Sequence, residues 1–379
     1  MKVTVAIDSF KGSLSTFDSG KAVLEGIKRV YEDADVVISP LADGGEGTVD
    51  AIISATSGRL VKAKVHGPLG DIIESTFGII EERKTAVIEM SAAAGITLVS
   101  SNQRNPLNTT TYGVGELIKC ALDMGCRRFI IGIGGSATND GGLGMLQALG
   151  FKFFDKFGEE VEIYGRGLQN ISKINLDKSD KRLSESTFLV ACDVTNPLCG
   201  TNGASAIYGP QKGATAEIVE KMDLWLNNFA DLTKSVIPHS DKDAKGAGAA
   251  GGLGFALMSF LNAELRSGVE LVIIETNLEK HIVDSDIVVT GEGRLDAQSS
   301  MGKAPVGVAK LAKIHSKPVI AFSGAVKEDA RLCNNAGIDA YFPILRKPSS
   351  LEDAMNIENA YSNLRDTAEQ VFRLINTFK

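Results

Sequence analysis

The sequence predicts an α/β protein: a parallel-sheet lobe that is discontinuous in the chain, with a second α/β lobe inserted into it. Three observations predict this. Short apolar runs at the start, KVTVAID (2–8) and DVVISPLA (35–42), alternate with helical spacing. The C-terminal third repeats the alternation with DIVVT (286–290), PVIAFSG (318–324) and AYFPI (340–344). The middle breaks it, because VKAKVHGP (61–68) and ESTFGIIEE (74–82), joined by PLGD, read as a hairpin. Apolar strands separated by helices form parallel sheets covered on both faces.

Taken in order, Ser15 is placed to cap a helix over 16–31, with Val23, Ile27 and Val30 at helical spacing. A second helix over 46–56 comes after the second strand. Beyond the hairpin come a third strand at TAVIEMS (85–91), a helix over 111–124 and the strand at 129–133. Residues 155–186 are polar and read as loop-rich. FLVACDV (188–194) is a buried strand, 215–236 a long amphipathic helix, and GAGAAGGLG (246–254) a turn entering a helix. Helices over 303–315, 327–336 and 351–377 separate the last strands. The reading gives one lobe from 1–66 and 284–379, and an inserted lobe from 67–283.

Among 379 residues, 44 % are hydrophobic and 23 % charged, a balance that supports a sizeable core without metal or disulfide staples. The formal net charge of −7 argues against nucleic acid or an anionic membrane as partner. No apolar run is long enough to span a bilayer, and Asp8 interrupts the first one, so neither a transmembrane helix nor a signal peptide is expected. The five cysteines form no CxxC pair and read as reduced, buried thiols of a cytoplasmic protein. The four histidines lack metal-ligand spacing.

The informative residues stand at the carboxyl ends of the strands, where ligands bind in open parallel sheets. The first strand ends in Asp8, Ser9 and Lys11; the second in Asp43, Gly44, Gly45 and Glu46. The run FIIGIGGSATNDGGLGMLQALG (129–150) carries Gly134, Gly135, Ser136, Thr138, Asn139 and Asp140. Asp193 and Asn196 come after 188–192, and Gly291, Glu292, Gly293, Arg294 and Asp296 after 286–290. One such turn is ordinary connector chemistry. Their recurrence on both lobes points to a functional cleft. Glycines let backbone N–H groups approach phosphate. Carboxylates need a hard cation such as Mg²⁺, or a hydroxyl whose proton they accept. Lys11, Arg294 and Lys303 supply positive charge. The combination suits phosphoryl transfer. A P-loop is absent; its nearest approach, AQSSMGKA (297–304), lacks the first glycine and the final Ser or Thr. Gly132-x-Gly134-x-x-Ala137, with Asp155 downstream, is a permitted variant of the dinucleotide fingerprint.

The blocks DSFKGSLS (8–15), PLADGGEGT (40–48), GIGGSATNDGGLG (132–144), ACDVTNPLCG (191–200), IYGPQKGAT (207–215), GAGAAGGLGFAL (246–257) and VTGEGRLDAQSSMGKAPVGVAKLA (289–312) resemble the bacterial-type glycerate kinases (glycerate 2-kinase, type I) across the whole chain and in order. The resemblance implies ATP-dependent phosphorylation of D-glycerate with Mg²⁺, with 2-phosphoglycerate the usual product, in the cytoplasm. It also implies two α/β lobes around a cleft, the discontinuous one Rossmann-like. A homodimer is left open.

Each residue then takes a role beside an ordinary alternative. Lys11 and Arg294 are assigned to the substrate carboxylate and the transferring phosphoryl group; the alternatives are a turn lysine and an ion pair to Asp296 or Glu292. Asp193 is assigned as acceptor of the hydroxyl proton, against a turn Asp. Asp8, Ser9, Asp43 and Asn196 complete the substrate contacts. Gly134, Gly135, Ser136, Thr138, Asn139, Gly291, Gly293 and Lys303 are assigned to the nucleotide. Asp43, Glu46, Asp140, Glu292 and Asp296 are candidate metal ligands, with helix capping the rival for the first three. Gln211 and Lys212 are placed at the cleft mouth. Two other functions stay open: a nicotinamide-dependent hydroxy-acid dehydrogenase built on the 132–137 turn, and a nucleotide sensor without catalysis.

Overall fold

A computed structural model describes residues 1–300 and 303–378. The strands are β1 (Lys2–Val5), β2 (Asp35–Ile38), β3 (Arg59–His66), β4 (Ile72–Ile80), β5 (Thr85–Glu89), β6 (Arg128–Gly132), β7 (Lys152–Phe154), β8 (Lys173–Asn175), β9 (Thr187–Ala191), β10 (Glu264–Arg266), β11 (Ile287–Leu295), β12 (Val319–Val326) and β13 (Ala340–Pro343). With the intervening helices they form two compact units. The first comprises Met1–Asp43, Asp50–Thr56 and Val269–Lys379; the second comprises Gly44–Val49 and Ser57–Gly268.

The first unit is built on an all-parallel sheet of order β13-β12-β11-β1-β2. Val3 lies opposite Ile287 on one side and Val36 on the other. Counted within the unit, the strands run 2-1-3-4-5, one of the two common doubly wound orders. The order reverses between β1 and β11, so the crevice beyond their carboxyl ends is the expected ligand position. Ser15 caps the first helix, Thr16–Lys28, by accepting from the Asp18 N–H. Val23 and Ile27 of that helix are fully buried with Leu364, Ala368 and Phe372 of the helix Ile357–Asn376. The segment expected as one helix over 351–377 is two helices, because Asn356 leaves helical geometry and caps the second. The helix expected over 327–336 is a 3₁₀ turn, Glu328–Arg331, leading into the short helix Leu332–Asn335.

The second unit is built on a mixed sheet of order β10-β9-β6-β5-β4-β3. The hairpin β3–β4 is antiparallel, as is β4–β5, while β5, β6, β9 and β10 run parallel. Its core gathers Phe129, Phe153, Phe229 and Phe255, all fully buried. The polar stretch 155–186 is loop-rich, except that β8 pairs with β7 as a small separate sheet. The glycine-rich run 246–254 is not a simple turn. Ala250, Gly251 and Gly252 take successive left-handed conformations, φ 51°, 70° and 90°, inside the start of the helix Ala249–Leu261. A Cβ on Gly251 would sit 2.1 Å from the Thr138 carbonyl oxygen. Only glycine lets this backbone lie against the turn after β6.

Candidate functional site

In the first unit, polar residues gather where the strand order reverses. The chain leaves β1 through a tight loop in which the Phe10 N–H donates to the Leu14 carbonyl, 2.9 Å. Asp8 on this loop is buried, and its Oδ1 accepts the Ser9 N–H at 2.7 Å. Burial, with Asp43 and Glu292 nearby, pushes its carboxyl from 3.8 up to about 7, against the Ser9 N–H and Lys11. Lys11 reaches Asp43 at 3.2 Å while its side chain stays 74 % exposed. Burial opposes its charge, but Asp43, Asp8 and Glu292 outweigh this and raise its pKa. Lys11 therefore serves as the cation of a three-carboxylate cluster.

The carboxyl end of β11 faces the same reversal point. Glu292 is buried and accepts from the Ser299 hydroxyl. Burial raises its pKa, opposed by Ser299, Lys303 and Lys11. Asp296 pairs with Arg294 at 3.2 Å and Lys327 at 3.7 Å, and its Oδ1 accepts the Gln298 and Ser299 N–H groups. Burial disfavours its charge, yet these donors with Lys303 hold the carboxyl below its usual range. Arg294 thus makes the ion pair weighed against its substrate role, and Asp296 is occupied in capping. Lys303 stands at the N-cap of the helix Ala304–Ile314 and forms no side-chain cap bond. Gly302, in the adjoining motif, lies outside the described residues.

In the second unit, the residues after β6 and β9 meet the 44–48 turn. A Cβ on Gly132 would lie 2.5 Å from the Gly44 carbonyl oxygen, so bare backbone is required where the two segments cross. Gly134 is half-buried, Gly135 is exposed with φ +74°, and Ser136 is half-buried. Here the chain turns inward. Thr138, Asn139 and Asp140 are 0 % exposed. Asp140 Oδ2 accepts the Thr111 hydroxyl (2.7 Å), the Thr111 N–H (2.8 Å) and the Gly144 N–H (3.3 Å); Oδ1 accepts the Gly142 N–H (3.1 Å). Burial raises its pKa and these donors oppose the rise. Asn139 donates to the Ser205 hydroxyl at 2.9 Å. Asp193 is exposed beyond β9 and its Oδ1 accepts the Gly268 N–H, 3.1 Å. Asn196 donates to the Asn202 carbonyl at 2.8 Å and accepts from the Tyr208 hydroxyl at 2.7 Å, so it holds its own loop.

Comparison with known proteins decides the family. The sequence pattern of the glycerate kinase family matches residues 3–376. The chain is 49 % identical over 375 residues to a glycerate kinase of Haemophilus influenzae, covering 99 % of each. It is 48 % identical to a glycerate 2-kinase of Escherichia coli, covering 96 % of this chain and 95 % of that one. The fold is similar to a crystal structure assigned as glycerate kinase 2 from Salmonella typhimurium LT2, with a TM-score of 0.90, 46 % identity, and coverage of 100 % and 98 %. The chain belongs to the glycerate kinase family. It is accordingly an enzyme, a phosphotransferase.

Within this glycerate kinase family member, several sequence assignments need correction. Asp140, a candidate metal ligand, is sealed in the interior with both oxygens taken by donors of Thr111, Gly142 and Gly144, so it ties its turn to the Thr111 segment. Thr138 and Asn139, assigned to the nucleotide, are buried beneath the left-handed 250–252 segment. Asp43 and Glu46 do not start a helix together: the helix begins at Thr48, Asp43 belongs to the first unit, and exposed Glu46 belongs to the second. The dinucleotide fingerprint fails because its glycines must open directly into a helix. Here the helix starts only at Leu143, and the Ala137 N–H is committed to the Ala94 carbonyl, 2.9 Å. Two polar residues carry more than the sequence signals. Ser299 bridges Glu292 and Asp296, and only its place beside the acids in GEGRLDAQSS hints at that. Lys212, placed at the cleft mouth, is in fact 2 % exposed; its Nζ donates to Ser136 Oγ (2.8 Å) and the Thr138 carbonyl (2.6 Å). Burial drives its pKa down to about 7, opposed by Asp140. Nothing local in GPQKGA signals this.

Proposed function

We propose that this protein transfers the γ-phosphoryl group of ATP to D-glycerate, giving 2-phosphoglycerate, in the cytoplasm. The observation that carries the reading is near-full-length similarity to glycerate kinases, one of them named for the 2-position. The gathering of Asp8, Lys11, Asp43 and Glu292 where the sheet order reverses supports it. Lys11 offers an exposed ammonium to an anionic oxygen, and Arg294 a second cation at the end of β11. Asp193 accepts the proton of the reacting hydroxyl. Gly134, Gly135 and Ser136 offer backbone and hydroxyl donors to an anionic group.

The carboxylates fit a Mg²⁺ ion. Asp8 Oδ2 and Glu292 Oε2 have no hydrogen-bond partner among the described residues, and burial, with neighbouring carboxylates, raises both pKa values, a cost that a bound cation would offset. Magnesium is commonly held by one or two carboxylates plus substrate phosphates. Asp8 and Glu292 would hold it, and Asp43 would keep Lys11 beside them. The bound ion would neutralise charge on the phosphoryl oxygens. The interlobe cleft expected from the sequence belongs to this proposal, and scattering that shows no compaction with nucleotide and glycerate together would remove it.

The test is ADP release with ATP, Mg²⁺ and D-glycerate, with L-glycerate and no-acid controls, and ³¹P NMR of the product. Turnover with coupling to the C2 proton is expected. ATP binding without turnover would leave the sensor reading.

A further inference from the structure

We propose that Lys212 is a positioning residue: it fixes the Ser136 hydroxyl as a hydrogen-bond donor to an anionic oxygen of substrate bound at the Gly134–Ser136 turn. This rests on the kinase reading above.

The direction comes from donor counting. An ammonium group only donates. In its charged form Lys212 Nζ, 2.8 Å away, can only donate, so Ser136 Oγ accepts. Its own hydrogen then has to point elsewhere, and among the described residues no protein acceptor takes it. Ser136 lies half-buried beside exposed Gly135, at the last point before the chain turns inward. The hydroxyl is thus polarised by a buried cation and left with an unspent donor on the accessible part of the turn.

The cation is held for this task at a cost. Lys212 is 2 % exposed and has no carboxylate within ion-pair distance among the described residues; Asp140 offsets its charge only from further away. Burying an ammonium without a direct partner is unfavourable, and an arriving anionic oxygen would relieve that. The lysine is also rigidly mounted. It ends the 3₁₀ turn Pro210–Lys212, and Gly213 comes next with φ +91°, where a Cβ would lie 2.1 Å from the Arg104 carbonyl oxygen. A second acceptor, the Thr138 carbonyl at 2.6 Å, fixes Nζ. The anionic oxygen belongs either to a nucleotide phosphate or to the glycerate carboxylate, and kinetics separate the two.

The experiment uses the full chain with Ser136→Ala, Lys212→Met and the double variant, varying MgATP and D-glycerate separately. Ser136→Ala is expected to raise one of the two KM values about tenfold, the loss of one charge-assisted bond, and to lower the melting temperature by a few degrees because buried Lys212 loses one of its two acceptors. Lys212→Met should raise the same KM, and the double variant should be no worse than Lys212→Met, since the two act as one unit. A rise in KM for ATP assigns the phosphate, and a rise for glycerate assigns the carboxylate. Unchanged KM values in Ser136→Ala, or effects that multiply in the double variant, overturn the proposal. If Lys212→Met does not fold, Ser136→Ala alone decides. If the parent shows no turnover, the kinase reading has failed separately, and calorimetric titration of ATP and D-glycerate into parent and Ser136→Ala makes the same comparison.

Discussion

Replacing Asp140 by Asn separates a carboxylate that builds the turn from one that handles substrate. The parent carboxylate accepts four donors while 0 % exposed. An amide in the same place offers one oxygen. Its better orientation keeps that oxygen toward Thr111 and Gly144 and aims its NH₂ at the Gly142 N–H. One buried N–H then lacks an acceptor, which costs about 1–3 kcal/mol. Three charge-assisted bonds become neutral ones, each weaker by up to about 1 kcal/mol. Relief from burying a charge returns part of this. The net loss is about 3 kcal/mol, or a fall of roughly 6–12 °C in melting temperature for a unit of about 200 residues. Thermal melting by circular dichroism reads it directly. A variant that melts within about 2 °C of the parent, yet shows a lower kcat or a changed Mg²⁺ requirement, would refute the assignment of Asp140 to the interior of the turn.

Three further outcomes are expected. The Asp8 carboxyl lies higher in the folded state, about 7, than its ordinary 3.8, so its contribution to stability is full below pH 4 and is lost as pH rises toward 7. Ligand-free Asp8→Asn should gain on the parent over that window, by at most about 4 kcal/mol, because each pH unit contributes about 1.36 kcal/mol; urea unfolding at pH 5 and 8 with an equal gap at both would contradict this. Gly251→Ala places a methyl 2.1 Å from the Thr138 carbonyl oxygen at φ +70° and should cost about 3 kcal/mol or more. A parent-like urea midpoint would mean that the left-handed run is free to adjust. Asp193→Asn should lower kcat by about 100-fold or more without moving the melting temperature; parent-like kcat would move the proton acceptor elsewhere.

The α/β class is legible in the sequence because apolar strand and helix periods are local properties. Ser15 announces its helix and accepts from the backbone as its cap. The first-unit cluster is also legible in part, since any parallel sheet delivers Asp8 and Glu292 to strand ends. What stays hidden depends on depth. In GGSATNDGG, Ser136 and Asp140 read alike, yet one sits half-buried on the turn and the other is sealed four residues later. That difference is set by Gly251 and its neighbours, more than a hundred positions away, which no local pattern reports. Lys212 is hidden for the same reason: a lysine in a turn normally reads as solvated, and only its bonds to Ser136 and Thr138, distant in sequence, show that it faces inward.

The pairing of Val3 with Ile287 has a consequence for how the chain is made. A ribosome working at about 5–20 residues per second needs roughly 15–60 s after finishing β1 to deliver its central sheet neighbour. Throughout that interval β1 has only β2 beside it, and a two-stranded piece is marginal in water. Val3, Val5 and Ile7, destined for full burial, remain open to other apolar surfaces. The whole of the second unit meanwhile emerges and is able to fold. The last unit to be completed is therefore the one that was begun first, and its nascent N-terminal segment is the part of this chain most exposed to misassociation during synthesis.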